Sequence, residues 1–244
     1  MKKLAHYCFL AFLLTGGQLP AATPAQYREQ RAELMREIEA DVRDTSAYLD
    51  KGRLGARVLQ VMGTVPREEF VPQDQRRYAY ENRPLPIGYG QTISQPYIVA
   101  IMTDLLNPQP GDRILEIGTG SGYQAAVLAG LVKQVYSIEI ISALAKRARS
   151  VLDRLGYRNV TTRVGDGYYG WKEEAPFDGI LVTAAADHVP PPLIAQLKRG
   201  GRMLIPIGSR FMTQELVLVE KGEDDSVTTR LLLPVRFVPL TGEH

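Results

Sequence analysis

Residues 112–122 read Asp-Arg-Ile-Leu-Glu-Ile-Gly-Thr-Gly-Ser-Gly, and the fold class follows from how that run is interpreted. Pro110-Gly111 interrupts whatever precedes it. Arg113–Ile117 is then a short apolar run holding one acid, Glu116, the pattern of a buried parallel strand that ends in a loop. Gly118, Gly120 and Gly122 come next, on alternate positions. Lacking Cβ atoms, they allow a sharp turn and a close approach of backbone to ligand, and Tyr123–Leu131 (YQAAVLAGL) continues as an apolar helix. A strand, a glycine turn and a helix in that order can hold a nucleoside-like cofactor.

Spacing narrows the choice of cofactor. The dinucleotide fingerprint G-x-G-x-x-G, counted from Gly118, needs a third glycine where this chain has Tyr123. Glu116 instead stands two residues before the first glycine. A second strand, Gln134–Ile140 (QVYSIEI), carries Glu139 about 20 residues on, where an acid can accept both ribose hydroxyls. E-x-G-x-G-x-G followed by such an acid resembles the first two motifs of class I S-adenosylmethionine (SAM) methyltransferases. The plainer alternative is a glycine turn that only packs helix on strand; the paired acids favour the cofactor.

Alternation continues downstream: helix Ser142–Leu155, strand Val160–Val164, then Gly165-Asp166-Gly167, strand Phe177–Thr183, helix Pro192–Leu197 and strand Arg202–Ile207. This predicts an α/β fold with a doubly wound, mostly parallel sheet, closed by an antiparallel hairpin of Gln214–Glu220 and Val227–Leu233. The glycine loop, Glu139 and Asp166 would then meet at the carboxyl edge of the sheet. Asp166 has a second reading, as a cap of the next turn.

At 244 residues with 45% apolar composition, the chain can fill one large core. Lys2-Lys3, the apolar run Leu4–Leu14 and the small-residue stretch through Ala22 make residues 1–22 resemble a signal peptide, too short for a permanent membrane anchor. Its removal would take two lysines and bring the formal charge from +2 to 0, which gives no electrostatic case for a nucleic-acid partner. Cys8, the sole cysteine, would leave too. Residues 23–53 read as a helical extension of solvated helices at an edge, and 54–244 as the catalytic domain. Val65–Pro72 and the proline-rich Asn82–Gly88 read as ordered loop without a regular element. Ser94, three residues before a helix body Tyr97–Leu106, has the position of a helix cap.

A more specific resemblance rests on several segments together: GQTISQPYIVAIMTDLL at 90–106, DRILEIGTGSGYQAAVLA at 112–129, VGDGYYGW at 164–171, FDGILVTAAA at 177–186, LKRGGRMLIPIG at 197–208 and VRFVPL at 235–240. These resemble the protein-L-isoaspartate (D-aspartate) O-methyltransferase family over residues 54–241. The resemblance implies SAM as cofactor and Ser94, the serine of T-I-S, as the active-site residue. It implies cofactor contacts from Gln91, Thr92, Ile93, Glu116, Gly118, Gly120, Gly122, Glu139, Asp166 and Gly167, with Asp166 on the adenine side. The expected reaction is methylation of the free carboxylate of L-isoaspartyl residues in damaged proteins, followed by loss of methanol to a succinimide. D-aspartyl acceptors are left open.

Elimination points the same way. Histidines stand only at 6, 188 and 244, and no G-x-S-x-G elbow is present, so a Ser-His-Asp hydrolase has little to work with. There is no H-E-x-x-H and no cysteine pair, hence no expected metal. The segment Ala184–Pro192 lacks the Asn/Asp-Pro-Pro-aromatic sequence of base-amine methyltransferases. A carboxylate is already ionised near neutral pH, with an ordinary pKa of ~4, and needs no general base to attack a methyl sulfonium. The runners-up are a small-molecule carboxylate O-methyltransferase and a non-catalytic SAM-binding module. The expected assembly is a monomer. Location is two-sided: residues 1–22 favour the periplasm or secretion, the family and the supply of SAM favour the cytoplasm, and Met35 is an alternative start; N-terminal sequencing of the native protein separates these.

Overall fold

Apolar side chains on both faces of the central strands require a layer of structure above and below the sheet, and the chain supplies both. The computed structural model describes residues 22–209 and 213–243; the signal-like segment up to Ala21, with Cys8, lies outside them. Helices α1 (Pro24–Asp44), α2 (Ser46–Leu49) and α3 (Ala56–Met62) come first, then strands β1 (Leu85–Gly88) and β2 (Gln91–Ile93) and helix α4 (Pro96–Leu106). The central unit runs β3 (Arg113–Ile117), α5 (Tyr123–Ala129), β4 (Gln134–Glu139), α6 (Ser142–Arg154), β5 (Val160–Val164), β6 (Phe177–Val182), α7 (Pro191–Gln196) and β7 (Leu197–Ile207). Strands β8 (Gln214–Lys221) and β9 (Val227–Val235) end it. Among the described residues no helix is long and apolar enough to cross a membrane.

The seven-stranded sheet has the order β5-β4-β3-β6-β7-β8-β9. Strands β3 to β7 are parallel and β8 is antiparallel to both neighbours, as the alternating pattern and closing hairpin predict. Strand alternation divides the core. Ile114, Leu181 and Leu204 face the side covered by α4, α5 and α6, while Leu115, Ile180, Val182, Met203 and Ile205 face α7. The chain winds outward from β3 to β5, then returns to β6 beside β3. Order reverses there, which opens a crevice at the carboxyl ends of β3 and β6.

Three segments differ from the sequence reading. Arg67–Phe70 and Gln73–Tyr78 form short 3-10 helices, and Leu85–Gly88 is a strand despite Pro86. Proline is tolerated because β1 and β2 form a two-stranded ribbon in which each is an edge. Leu85 and Ile87 point inward on the period of two, and Tyr89 and Gly90, with φ of 56° and 71°, make the tight turn. Strand β7 begins at Leu197 rather than Arg202, because the chain bulges between the pairs Phe177–Leu197 and Gly179–Arg202 around Gly200, at φ 74°. Helix α1 is the third. Leu34, Ile38 and Val42, spaced one turn apart, are buried in the same core as α4, so only its outer face is solvated. Each contributes about 1.5–3 kcal/mol by leaving water. Thr23 and Gln26 cap its start reciprocally, with Pro24 in the first turn. Met35 lies inside this helix.

One buried polar cluster ties α1 to the chain before β1. Arg31 Nε and Nη2 donate to Tyr80 Oη at 2.9 and 2.6 Å, Arg31 Nη1 donates to Thr64 O at 3.0 Å, and Tyr80 Oη donates to the Glu68 carboxylate. Burial and the Glu68 carboxylate push the Tyr80 hydroxyl well above its ordinary pKa, so it stays a donor. Removing the cation leaves Glu68 buried and uncompensated. Arg31→Ala is expected to lower stability by about 2–4 kcal/mol in guanidinium unfolding, with partial recovery in Arg31→Lys.

Candidate active site

Strand β3 ends at Ile117 and the next three backbone groups define the site. Gly118 N and Thr119 N both donate to Ile138 O, at 2.8 and 3.1 Å, which draws the loop over the end of β4. Gly118 has φ 95°, and a Cβ on it would lie 2.5 Å from Thr183 Oγ1 at the end of β6. Gly120 N reaches Glu139 Oε2 at 2.7 Å, and Ile141 N reaches Glu139 Oε1 at 2.9 Å. Glu139 is therefore held rigid from both sides with further lone pairs open toward the cavity it lines.

That cavity brings together most of the residues expected from the sequence. Gly118, Gly120, Glu139 and Gly167 line it from the sheet edge, and Gln91, Thr92, Ile93 and Ser94 line it from β2 and the chain after it. Ile138, Ile140 and Ile141 add an apolar wall beside Glu139. The tail after β9 closes another side: Ala185 N donates to Val238 O at 2.8 Å and Leu240 N to Ala185 O at 2.7 Å, which lays Val238–Thr241 against the cavity.

Three expected cofactor residues sit elsewhere. Gly122 starts α5 at φ 88°, where a Cβ would crowd Leu152 and Ala148 of α6, so its glycine serves helix packing. Asp166 caps the turn Gly167–Tyr169: its Oδ1 accepts from Tyr168 N at 2.9 Å and its Oδ2 from Glu243 N at 3.2 Å, which turns the carboxylate off the cavity wall. Glu116 lies beneath the loop. Ser137 Oγ donates to its carboxylate and accepts from Thr119 Oγ1 at 2.6 Å, a chain that props the glycine turn from below.

Ser94 is not a helix cap. Gln95 holds the cap position of α4 without a side-chain bond, and Asn82 Oδ1 accepts from Tyr97 N at 3.0 Å in its place. Ser94 is half-buried between the cavity and a second cleft of about 550 Å³, and the two share Thr92, Ser94, Thr183 and Val238. None of those four carries a group that titrates near neutral pH. A cofactor in one space and an acceptor in the other would meet at Ser94 with hydroxyl groups but no base.

Arg67 was invisible to sequence reading. It is fully buried, donating from Nε to Ala79 O at 2.9 Å and from Nη2 to Ser94 O at 2.7 Å, with its guanidinium 4.7 Å from the Tyr123 ring centre. Burial lowers its pKa to about 10, which keeps it cationic at neutral pH. An arginine between Pro66 and Phe70 suits a surface loop equally well, so no local signal marks it. His188, exposed beside Tyr168 Oη at 3.2 Å, is outside the cavity.

Burial, with the Glu139 carboxylate nearby, pushes Glu116 up to about 8. A raised folded-state value means that the protonated acid stabilises the fold fully below its unfolded value of 4.5, and that this is lost as pH rises through about 8. Glu116→Gln, which keeps the shape without the charge, should therefore gain in melting temperature relative to the wild type between pH 5 and 9; a constant difference across that range would contradict the assignment.

Sequence and fold comparisons agree with this geometry. The family described as protein-L-isoaspartate(D-aspartate) O-methyltransferase matches residues 47–244. A protein-L-isoaspartate O-methyltransferase 2 of Syntrophobacter fumaroxidans is 60% identical over 248 residues, covering 100% of both chains. A protein-L-isoaspartate O-methyltransferase 1 of Cupriavidus necator is 64% identical, covering 88% of this chain and 83% of its own. Among solved structures, a protein-L-isoaspartate O-methyltransferase superposes with a TM-score of 0.76 at 31% identity, over 87% of this chain and 66% of that one. The family match spans the glycine loop, the T-I-S segment and the closing tail of this chain, and the chain belongs to the protein-L-isoaspartate (D-aspartate) O-methyltransferase family.

Proposed function

We infer that the protein uses SAM to methylate the free carboxylate of L-isoaspartyl residues in damaged proteins, the step that opens their repair through a succinimide. The observation that carries this reading is the junction at Ser94, where cavity and cleft meet through groups that neither take up nor release a proton near neutral pH. An alcohol or ammonium acceptor would need a base there; an ionised carboxylate does not. The relatives at 60% and 64% identity bear the same activity in their names.

The cavity suits SAM on its own chemistry. Glu139 offers charged acceptors for two ribose hydroxyls while still held by Gly120 and Ile141, and the isoleucines beside it can cover an adenine face. The bare backbone at Gly118 and Gly120 admits the rest of the molecule closely. Bound there, SAM supplies a methyl group activated by its sulfonium. Gln91, Thr92 and Ile93 close the cavity from β2, and Ser94 donates a hydrogen bond that aims one carboxylate oxygen. Arg67 fixes the Ser94 backbone through its carbonyl. Glu116, Gly122 and Asp166 hold the surrounding loops in shape rather than touching the cofactor. Orientation of this kind can supply several kcal/mol of a transfer barrier, so the protein needs no further catalytic group.

The direct test is transfer of labelled methyl to an isoaspartyl peptide, with the aspartyl peptide as control: labelling of the first alone is expected, and labelling of neither would end the reading. Ser94→Ala should lower turnover about tenfold or more with SAM affinity and melting temperature near wild type, while Ser94→Thr retains activity. A stable, fully active Ser94→Ala would remove Ser94 from the mechanism. Glu139→Ala should weaken SAM binding by about 1.5–3 kcal/mol in calorimetry, the worth of hydrogen bonds to a charged acceptor.

A further inference from the structure

Two charged stretches flank the cleft on the acceptor side of Ser94, whose lining also takes in Pro84, Tyr97 and Ile98. One is Leu233–Val238, the end of β9 and the tail after it, with Arg236 exposed; the other is the end of α1 with Asp41, Asp44 and Thr45. Helix α1 precedes the segment 47–244 that the family shares. It is nevertheless fastened to the helix that follows Ser94. Thr45 Oγ1 donates to Asp41 O at 2.7 Å and accepts from Tyr97 Oη at 2.5 Å. Asn82 bridges the same gap, donating from Nδ2 to Asp41 Oδ2 at 2.7 Å and accepting from Tyr97 N at 3.0 Å. The α1 wall therefore keeps a fixed position beside the acceptor serine.

Its charge is unspent. Asp41, Asp44 and Arg236 form no ion pair with any described residue, and Asp44 is exposed at the cleft. The field across the cleft is polar: two carboxylates on the α1 side, one guanidinium on the tail side. Ser94 shares this cleft with Asp41, Asp44 and Arg236, so a peptide whose isoaspartyl carboxylate reaches Ser94 through it brings its neighbouring residues within reach of those charges.

We propose that the end of α1 is a specificity wall, in which Asp44, supported by Asp41, makes the enzyme favour isoaspartyl sites that have a lysine or arginine within a few residues. The proposal rests on the isoaspartyl reading above and names the acceptor class more closely. The pair formed would be solvent-exposed, so the preference is modest, about 2–5-fold in kcat/KM carried by KM, and it fades as salt rises past about 0.5 M.

Two isoaspartyl peptides that differ only in a lysine or a glutamate two positions from the damaged residue test it. The wild type should prefer the lysine peptide, Asp44→Asn should level the two, and Asp44→Lys should reverse the order. Lysine in the last turn of a helix suits its dipole, so Asp44→Lys folds. Glu37→Lys changes the same charge on the same helix away from the cleft and should leave the wild-type ratio in place. An equal ratio for wild type and Asp44→Lys, or an equal shift in Glu37→Lys, overturns the proposal while leaving the isoaspartyl activity standing. Transfer to neither peptide by the wild type would defeat the activity itself and the preference with it.

Discussion

Thr183 Oγ1 donates between the carbonyls of Ile117 and Gly118, at 2.9 and 2.8 Å, and the site depends on that contact between the ends of β6 and β3. It leaves no space for a side chain at 118 and holds the glycine at a φ of 95° that L-residues avoid. From that fixed corner the loop crosses to β4, where Ile138 O and the Glu139 carboxylate take its next N–H groups. Three neighbouring strands are thus pinned at their carboxyl ends by hydrogen bonds to the loop backbone, and the cavity lined by Glu139 is the space left above them.

The acceptor side is held by a different device, buried charge in place of secondary structure. Between α3 and α4 the chain has only short 3-10 turns and a two-stranded ribbon, which cannot fix a serine by ladder hydrogen bonds. Arg67 does it by reaching two carbonyls twelve and twenty-seven residues on and resting against Tyr123 of α5. Taking a guanidinium from water is costly, visible in its lowered pKa, and the hydrogen bonds and ring contact only partly offset it. The cost is spent on position: Ser94 is attached to both the hairpin and α5. Arg31, Tyr80 and Glu68 repeat the device one layer further out and bring α1 into register with the same loop.

Charge and burial interact at Glu116 in the opposite sense. Its carboxyl is propped by Ser137 under the glycine loop and is pushed toward its neutral form, while Glu139, one strand away and bonded by two N–H groups, serves the cavity. Two acids that look alike in E-x-G-x-G-x-G and its downstream partner therefore divide into a support beneath the loop and a group that lines the cavity, because one side chain points into the core and the next strand's points to the edge.

Local sequence determined the alternation of strands and helices, the mostly parallel sheet and the glycine turn with Glu139 beyond it; only the family resemblance pointed to Ser94. Periodicity and glycine spacing are short-range signals, and Ile114, Leu115 and Ile117 carry them within a few residues. Tertiary structure alone decided what depends on partners distant in the chain. Asp166, for which local sequence left two readings open, also accepts from Glu243 N, 77 residues away; Ser94 was freed from capping because Asn82 took that bond; Pro86 entered a strand because its ribbon has only edges. Arg67 could be found no other way, since a buried cation is defined by the carbonyls that surround it. The end of α1 became a wall of the cleft beside Ser94 through Asn82 and Tyr97, contacts spanning 41 and 52 residues that no local pattern encodes.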